Sequence, residues 1–203
     1  MMKYDFIATH NSGTGEDSYS IWDAILIPFA CCQSKTLYEQ VMAGVTLFDI
    51  RVKSINGDGL FLAHGLWRSC VPLFTALTLM QRAYNKMASM DSGYKEQFPR
   101  IFVFVTYEGR LSKEKEIAFT GTVRGINEFF PNVAIYAISV KRPKWRTVWN
   151  DSMIPPIKYI RDFEVLERGN WRRFIPIPRF WAWVRGRFWN SSATTTYVMC
   201  DFI

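Results

Sequence analysis

The sequence predicts a single α/β domain whose sheet is mainly parallel. Short apolar stretches of strand length alternate along the 203 residues with stretches of helical periodicity. One apolar run, Ile101–Val105, contains no polar residue, which is typical of a strand buried on both faces of a parallel sheet. No internal repeat or linker interrupts the pattern. We therefore assign residues 1–203 to one domain, and a closed barrel would suit the number of units.

The predicted elements follow one another in the order that such a fold needs. An apolar strand covers Tyr4–Ala8, and residues 18–32 form either a helix that ends near Pro28 or a loop over the mouth of the fold. Asn56–Gly59 is a turn signal. Residues 155–189 have no clear periodicity. Further strands are predicted over 45–53, 60–63, 101–105, 133–138 and 195–203, and helices over 34–44, 72–90, 112–130 and 141–151.

Amino-acid composition restricts the cellular compartments in which we expect this protein. A hydrophobic content of 49% excludes a disordered chain, and no 18-residue apolar run exists that could span a membrane. Because the first strand begins at Tyr4, we expect no signal peptide. The four cysteines lack metal-ligand spacing and are expected to be reduced. These features predict a cytoplasmic protein, peripheral at a membrane, or a secreted one if a leader has been removed.

The charge predicts anionic partners. The net charge of +7 suits nucleic acid, a membrane surface or a phosphorylated substrate, and eight tryptophans favour a membrane or a ring-bearing ligand. Residues 171–189 are rich in Trp and Arg. They could be a barrel helix that packs on the sheet, but we favour a membrane-interface element that contacts anionic lipid. Nucleic-acid binding has no other support. The predicted membrane contacts are Trp181, Trp183, Arg185 and Trp189.

Both histidines of the chain follow apolar runs. His10 comes after the first strand, and His64 after the strand over 60–63. In parallel α/β folds, the carboxyl ends of strands converge on one mouth. Histidine transfers protons near neutral pH. We therefore expect His10 and His64 to form an acid–base pair at this mouth.

Asp49 and Arg51 belong to the same predicted mouth. They lie two residues apart on a strand, so they share one face. A buried Asp and Arg are costly unless they are paired, and an Arg fork suits a phosphate. The pair therefore indicates an anion site beside the histidines.

Three motifs now resemble a known family. They are A-T-H-N-S-G-T-G from Ala8, L-Y-E-Q-V-M-A-G-V-T-L-F-D-I-R-V from Leu37 and L-A-H-G-L-W from Leu62. Their order and spacing are similar to those of the X-domain of phosphatidylinositol-specific phospholipase C in its small bacterial form. The resemblance runs from Tyr4 to Glu108 and returns at Tyr197–Asp201. It implies one distorted or incomplete (βα)8 TIM-type barrel, and a monomeric phosphodiesterase that acts on a phospholipid.

The resemblance also implies a mechanism. His10 would deprotonate the inositol 2-hydroxyl, His64 would protonate the leaving diacylglycerol oxygen, and Arg51 would bind the phosphate. The tethered hydroxyl would attack phosphorus and form a cyclic phosphate. The remaining implied residues are Asp201, which would hold His10, Asp49, which would steady Arg51 or His64, and the substrate contacts Asn11, Thr106 and Glu108.

Three positions depart from the family pattern. Asn11 matches calcium-dependent relatives, but Arg51 replaces one of their acidic ligands, and Thr106 stands where bacterial enzymes tend to have Lys. Asn11 and Asp49 are too few oxygen donors for Ca²⁺, so we expect neither metal nor other cofactor, with Arg51 supplying the charge. The departures leave alternatives open: a non-catalytic lipid- or phosphate-binding module on the same barrel, or a phosphodiesterase for another head group.

Overall fold

The computed structural model describes residues 7–9, 12–31, 33–55, 59–138, 157–159 and 197–200. The strands in these ranges are β1 Ile7–Thr9, β2 Val45–Ser54, β3 Leu60–His64, β4 Trp67–Pro72, β5 Ile101–Tyr107, β6 Val133–Ile138, β7 Ile157–Tyr159 and β8 Tyr197–Cys200. The α-helices are α1 Ile21–Ile25, α2 Ile27–Ala30, α3 Leu37–Met42, α4 Leu73–Met90, α5 Ser92–Gln97 and α6 Lys113–Asn127. A 3-10 turn covers Ser12–Gly15.

One sheet contains all the described strands, and β2 is its longest member. The order β6–β5–β2–β1–β8–β7 is a run of six parallel strands. At Val52, β2 pairs with Tyr107 of β5 on one edge and with Leu62 of β3 on the other. The antiparallel strand β3 therefore lies on the same edge of β2 as β1, beyond the end of β1, and β4 completes a hairpin with it.

The predicted α/β class with a mainly parallel sheet is confirmed. The first strand, β1, pairs with the last, β8, as it would in a barrel. Among the described residues, however, no pairing joins β6 to β7, so the sheet is open there and a closed barrel is not formed. The helix predicted over 141–151 lies outside the described residues, and β7 is the described part of 155–189.

Side-chain alternation along β2 divides the molecule into two sides. Phe48, Ile50 and Val52 are fully buried in a core with Leu77 and Met80 of α4. Leu77 and Met80 lie on the same side of α4, as expected for an amphipathic helix that packs on a sheet. Since successive strand residues point to opposite faces, the residues between them on β2 face away from this core.

Two elements differ from the sequence prediction. The helix predicted from residue 72 begins at Leu73, because Pro72 ends strand β4, which the sequence reading missed. The sequence of β4, W-R-S-C-V-P, has no strong strand pattern, and its pairing with β3 and the Ser18–Ser69 bridge decide its conformation. The short helix α5 was also missed; it begins at the N-cap Asp91, whose carboxylate accepts from the N–H of Gly93.

Local signals set the ends of α3. Thr36 and Glu39 form a reciprocal capping box at its start. Gly44, predicted as the stop signal, has φ +91°, a conformation that favours glycine. Both signals are local, which is why the sequence could locate this helix.

We predict opposite effects for Gly15→Ala and Gly121→Ala. A Cβ at Gly15 would collide with the carbonyl oxygen of Lys35, whereas a Cβ at Gly121, on the exposed side of α6, would meet nothing within 4 Å. Gly15→Ala should lower the free energy of unfolding by ~1–3 kcal/mol. Gly121→Ala should raise it by ~0.5–1 kcal/mol, because alanine is the better helix former. Urea denaturation measures both, and equal effects would contradict the described packing of Gly15.

Candidate active site

Three charged side chains meet on the face of β2 opposite the core. Nη1 of Arg51 lies 3.1 Å from Oε2 of Glu108, and its Nε lies 4.0 Å from Oδ2 of Asp49. The Asp49 side chain is only 2% exposed, whereas that of Arg51 is 22% exposed. The Asp49–Arg51 pair expected from the sequence is thus present, with Glu108 as a further member. We call these three residues the Arg51 cluster.

Parallel pairing with β5 supplies Glu108 to this cluster. Arg51 pairs in register with Thr106, and the N–H of Glu108 donates to the carbonyl of Val52 at 2.7 Å, which continues the ladder past the end of β5. Thr106 is buried beside Arg51. The structure therefore groups Thr106 and Glu108, both predicted as substrate contacts, with Asp49 and Arg51.

In the Arg51 cluster, the guanidinium of Arg51 lies beside two carboxylates and remains partly exposed to solvent. Nη1 of the guanidinium is hydrogen-bonded to Glu108, and the Asp49 carboxylate lies 4.0 Å from its Nε. A guanidinium has five N–H donors, so it can contact several acceptors at once. An exposed fraction of 22% leaves Arg51 accessible from solvent, while Asp49 is shielded behind it. This arrangement suits the binding of a planar or tetrahedral anion at Arg51.

His64 is the last residue of β3 and is partly exposed. Its Nδ1 lies 2.6 Å from the carbonyl oxygen of Ala30. A carbonyl oxygen can only accept, so Nδ1 carries a proton and donates it. In the neutral ring the lone pair is then on Nε2, which is the nitrogen able to take up a transferable proton.

An antiparallel strand, and not a parallel one, brings His64 to this region. The sequence reading expected His64 at the carboxyl end of a parallel strand, and β3 corrects that expectation because it runs opposite to β2. Continuing the Leu62–Val52 register by two residues sets His64 level with Ile50, whereas Thr9 of β1 pairs with Phe48 on the same edge. The ends of β1 and β3 thus approach one another, roughly 7 Å apart along β2.

Several predicted site residues lie outside the described residues. They are His10, Asn11 and Asp201, with the membrane residues Trp181, Trp183, Arg185 and Trp189. In the sequence, His10 follows Thr9 and Asp201 follows Cys200, and Thr9 and Cys200 are partners in the parallel β1–β8 pair.

The loop after β1 is fixed by buried hydrogen bonds. The Ser12 hydroxyl donates to the carbonyl of Thr9, and Nε2 of Gln40 donates to the carbonyl of Ser12 at 2.8 Å. A Cβ at Gly13 would press on Leu62, and Gly15 approaches a backbone carbonyl closely. Packing therefore accounts for this Gly-x-Gly sequence without a phosphate-binding role.

Sequence reasoning missed a second ion pair, beside His64, between the buried Asp23 and the partly exposed Arg68. The Asp23 carboxylate, on α1, accepts from the backbone N–H of Arg68 at 3.0 Å and from its Nε at 3.1 Å. Burial alone would raise the pKa of Asp23, but hydrogen bonds from Arg68 and Ser20 and the charge of Arg68 hold it below its ordinary value. Forty-five residues separate the partners, so no local signal could reveal the pair.

The opposite face of α1 is apolar and exposed. Ile21 and Trp22 are each 75% exposed, and Ile25, one turn later, is exposed beside them. Leu66, in the turn before β4, is 77% exposed. The sequence predicts either a helix or a loop over the mouth for residues 18–32; the structure places Trp22 and Ile25 on helix α1, where they face solvent.

The described residues contain no group of three or more His, Cys, Asp or Glu side chains that could hold a metal ion. Within the same ranges, every helix is too short or too polar to cross a bilayer.

Comparison with known proteins adds a fold relationship. No family model matches the chain, and no curated protein matches its sequence. Among solved structures, the phosphatidylinositol-specific phospholipase C from Listeria monocytogenes aligns with a TM-score of 0.54 at 13% identity, over 98% of this chain and 90% of its own. A mutant of the phosphatidylinositol-specific phospholipase C from Staphylococcus aureus gives a TM-score of 0.46 at 16% identity, over 66% of this chain and 47% of that one. The first alignment shows a fold similar to that of the Listeria enzyme.

The buried Asp23 and the partly buried Glu16 predict opposite pH effects. The pKa of Asp23 is lowered, so its stabilising contribution is present above about pH 4 and is lost as pH falls through the folded-state pKa. Burial raises the pKa of Glu16, as do the charges of Asp17 and Glu39, against an N–H from Leu37 that lowers it. Ionisation of Glu16 therefore destabilises the fold as pH rises through its folded-state pKa.

Thermal melting from pH 3 to pH 7 tests both signs. Asp23→Asn should lower the melting temperature most above about pH 4 and least in acid. Glu16→Gln, which can still accept from Leu37, should become more stable relative to the wild type as pH rises. The same trend for both variants would contradict the described environments.

Proposed function

We propose that this chain is a phosphodiesterase of the phospholipase C type that cleaves the glycerol–phosphate bond of an inositol phospholipid. The observation that carries the proposal is the Arg51 cluster, a partly exposed guanidinium oriented by Asp49 and Glu108 on the strand that neighbours His64. The fold similarity to the phospholipase C from Listeria monocytogenes supports the same class. In this function Arg51 binds the phosphate and stabilises the charge that gathers on its oxygens.

His64 is the proposed general acid. Its Nδ1–H donates to the Ala30 carbonyl, so the imidazolium presents its second proton on Nε2. Transfer of the Nε2 proton to the glycerol oxygen allows the P–O bond to break and diacylglycerol to leave.

His10 is the proposed general base. It removes the proton from the inositol 2-hydroxyl, whose oxygen attacks phosphorus and forms a cyclic inositol phosphate. Asp201 is proposed to accept the other N–H of His10 and fix its tautomer. Asn11 and Thr106 are proposed to contact the head group. The pairing of Thr9 with Cys200, the residues that precede His10 and Asp201, supports this assignment.

The wider proposal is a distorted or incomplete (βα)8 barrel that works as a monomer, without metal or other cofactor, at a cytoplasmic membrane surface. The proposal of a barrel is based on the parallel order β8–β1–β2, in which the last described strand pairs with the first. The proposal of catalysis without a metal ion is based on Arg51, whose positive charge would take the place of the ion in the calcium-dependent enzymes that the chain resembles.

Turnover of phosphatidylinositol vesicles with excess chelator tests the chemistry. We expect release of water-soluble inositol phosphate by the wild type. His64→Ala should lower kcat by ~10²–10⁴-fold, as for loss of a proton-transfer group. Arg51→Met should lower kcat by ~10²–10³-fold, as for loss of one oxyanion donor. The matched control Arg124→Met, an exposed arginine on α6, should leave turnover unchanged.

The outcomes separate the alternatives. Unchanged turnover in His64→Ala would remove the proposed acid. No turnover of any inositol lipid by the wild type, together with strong vesicle binding, would favour a non-catalytic lipid-binding module. Release of a different head group would identify a related phosphodiesterase.

The apolar face of α1 is the proposed membrane contact among the described residues. Ile21, Trp22 and Ile25 share that face, and Leu66, in the turn before β4, is a further exposed apolar residue. Lys53 donates to the carbonyl of Gly65, which places a cation at the same turn as Leu66. Apolar residues with flanking cations, on a chain of net charge +7, suit an anionic lipid surface. The proposed contacts at 181–189 would add to this surface.

Vesicle co-sedimentation tests the contact. The double variant Ile21→Ser, Ile25→Ser should bind vesicles of phosphatidylglycerol and phosphatidylcholine about tenfold more weakly than the wild type, because it removes two apolar side chains from the bilayer boundary. Ile117→Ser is the matched control, since Ile117 is 66% exposed on α6. Equal weakening by the control would contradict a specific contact.

A further inference from the structure

The two short helices before the candidate site are bonded at both ends to the hairpin that carries His64. We call residues 21–30, which contain α1 and α2, the strap. At one end Asp23 binds Arg68 of β4, and at the other the Ala30 carbonyl accepts from Nδ1 of His64. The hairpin itself joins the two anchors, because Ala63 pairs with Arg68 and His64 with Trp67. The contacts therefore form a closed ring.

The Asp23 anchor is built as a clamp. Both carboxylate oxygens are used: Oδ1 accepts from the backbone N–H and the Nε of Arg68, and Oδ2 accepts from its Nη2 and from the Ser20 hydroxyl. The residue is 2% exposed. A buried carboxylate with this many donors has one preferred position, and the guanidinium fork makes that position directional.

Backbone hydrogen bonds transmit this position along the strap. The N–H of Leu26 donates to the carbonyl of Asp23 at 3.0 Å, and the N–H of Ala30 donates to the carbonyl of Leu26 at 3.0 Å. Leu26 is at once the C-cap of α1 and the N-cap of α2, so no flexible linker separates the helices. Asp23 thus fixes the first turn of the strap, and these bonds connect it to the Ala30 carbonyl, while the N–H of Gln33 donates to the Thr14 hydroxyl beyond the other end.

We propose that Asp23 and Arg68 are positioning residues that hold the Ala30 carbonyl against His64 through the strap, and so fix its imidazole as the Nδ1–H tautomer. The consequence for catalysis rests on the proposed function. With the strap displaced, the Ala30 carbonyl no longer favours Nδ1–H, and the population of the Nε2–H tautomer, whose lone pair lies on Nδ1, rises. Asp23 and Arg68 then affect the rate without touching the substrate.

Nitrogen-15 NMR of the imidazoles tests the inference without any substrate. The chain has two histidines, so a His10→Ala background leaves the signals of His64 alone. In this background we expect Nδ1 protonated in the neutral ring, and a shift toward Nε2–H on adding Asp23→Asn. The second variant, Arg68→Lys, keeps the charge and the backbone N–H but loses the fork, and should shift the tautomer in the same direction. Cooperative melting checks that each variant is folded.

Kinetics of variants with His10 intact complete the test. Asp23→Asn should lower kcat roughly 10- to 100-fold with KM unchanged, because it misplaces the acid and not the substrate. The control is Asp91→Asn, which makes the same change at the N-cap of α5 and should alter neither tautomer nor kcat. An unchanged His64 tautomer in both Asp23→Asn and Arg68→Lys would overturn the inference. A shifted tautomer in a protein that turns over no lipid would support the positioning and overturn the proposed function.

Discussion

The alternation of side chains along β2 is the constraint on which both the core and the candidate site depend. Phe48, Ile50 and Val52 leave the strand on the side of the helices, and this fixes Asp49 and Arg51 on the other side. A shift of one residue in the register with β5 would exchange the two sets and bury the charges in the core. Hydrophobic burial of one face is therefore what holds the polar face in position.

The Arg51 cluster and the Asp23–Arg68 pair have different roles in this structure. Arg51 is partly exposed between two carboxylates, so it can exchange solvent for an anion. Asp23 is buried and saturated with donors, so its pair with Arg68 fixes the relative positions of α1 and β4. Because Arg68 is 39% exposed, the pair adds little net stability by itself, but removal of Arg68 would leave the charge of the buried Asp23 unpaired. The contribution of the Asp23–Arg68 pair is therefore the fixed position of α1 relative to β4.

The strap contains both the exposed apolar residues of α1 and the carbonyl that contacts His64. Its outer face is apolar and exposed, its inner face holds Asp23, and its end contacts His64. The two helices of the strap are continuous, because hydrogen bonds run from the Asp23 carbonyl through Leu26 to Ala30. Contact with a lipid surface and placement of the imidazole would then involve the same residues.

Periodicity and local caps by themselves determined the class of the fold, the positions of β2, β5, β6 and α4, and the pairing of Asp49 with Arg51, because these features depend on neighbours two to four residues away. Tertiary structure alone decided the antiparallel direction of β3, the existence of β4, and the clamp between Asp23 and Arg68. Each of these depends on a partner strand or side chain that is remote in sequence, and no local pattern encodes a remote partner. The exposure of Trp22 was hidden for the same reason, since only the packed fold decides which apolar residues remain uncovered.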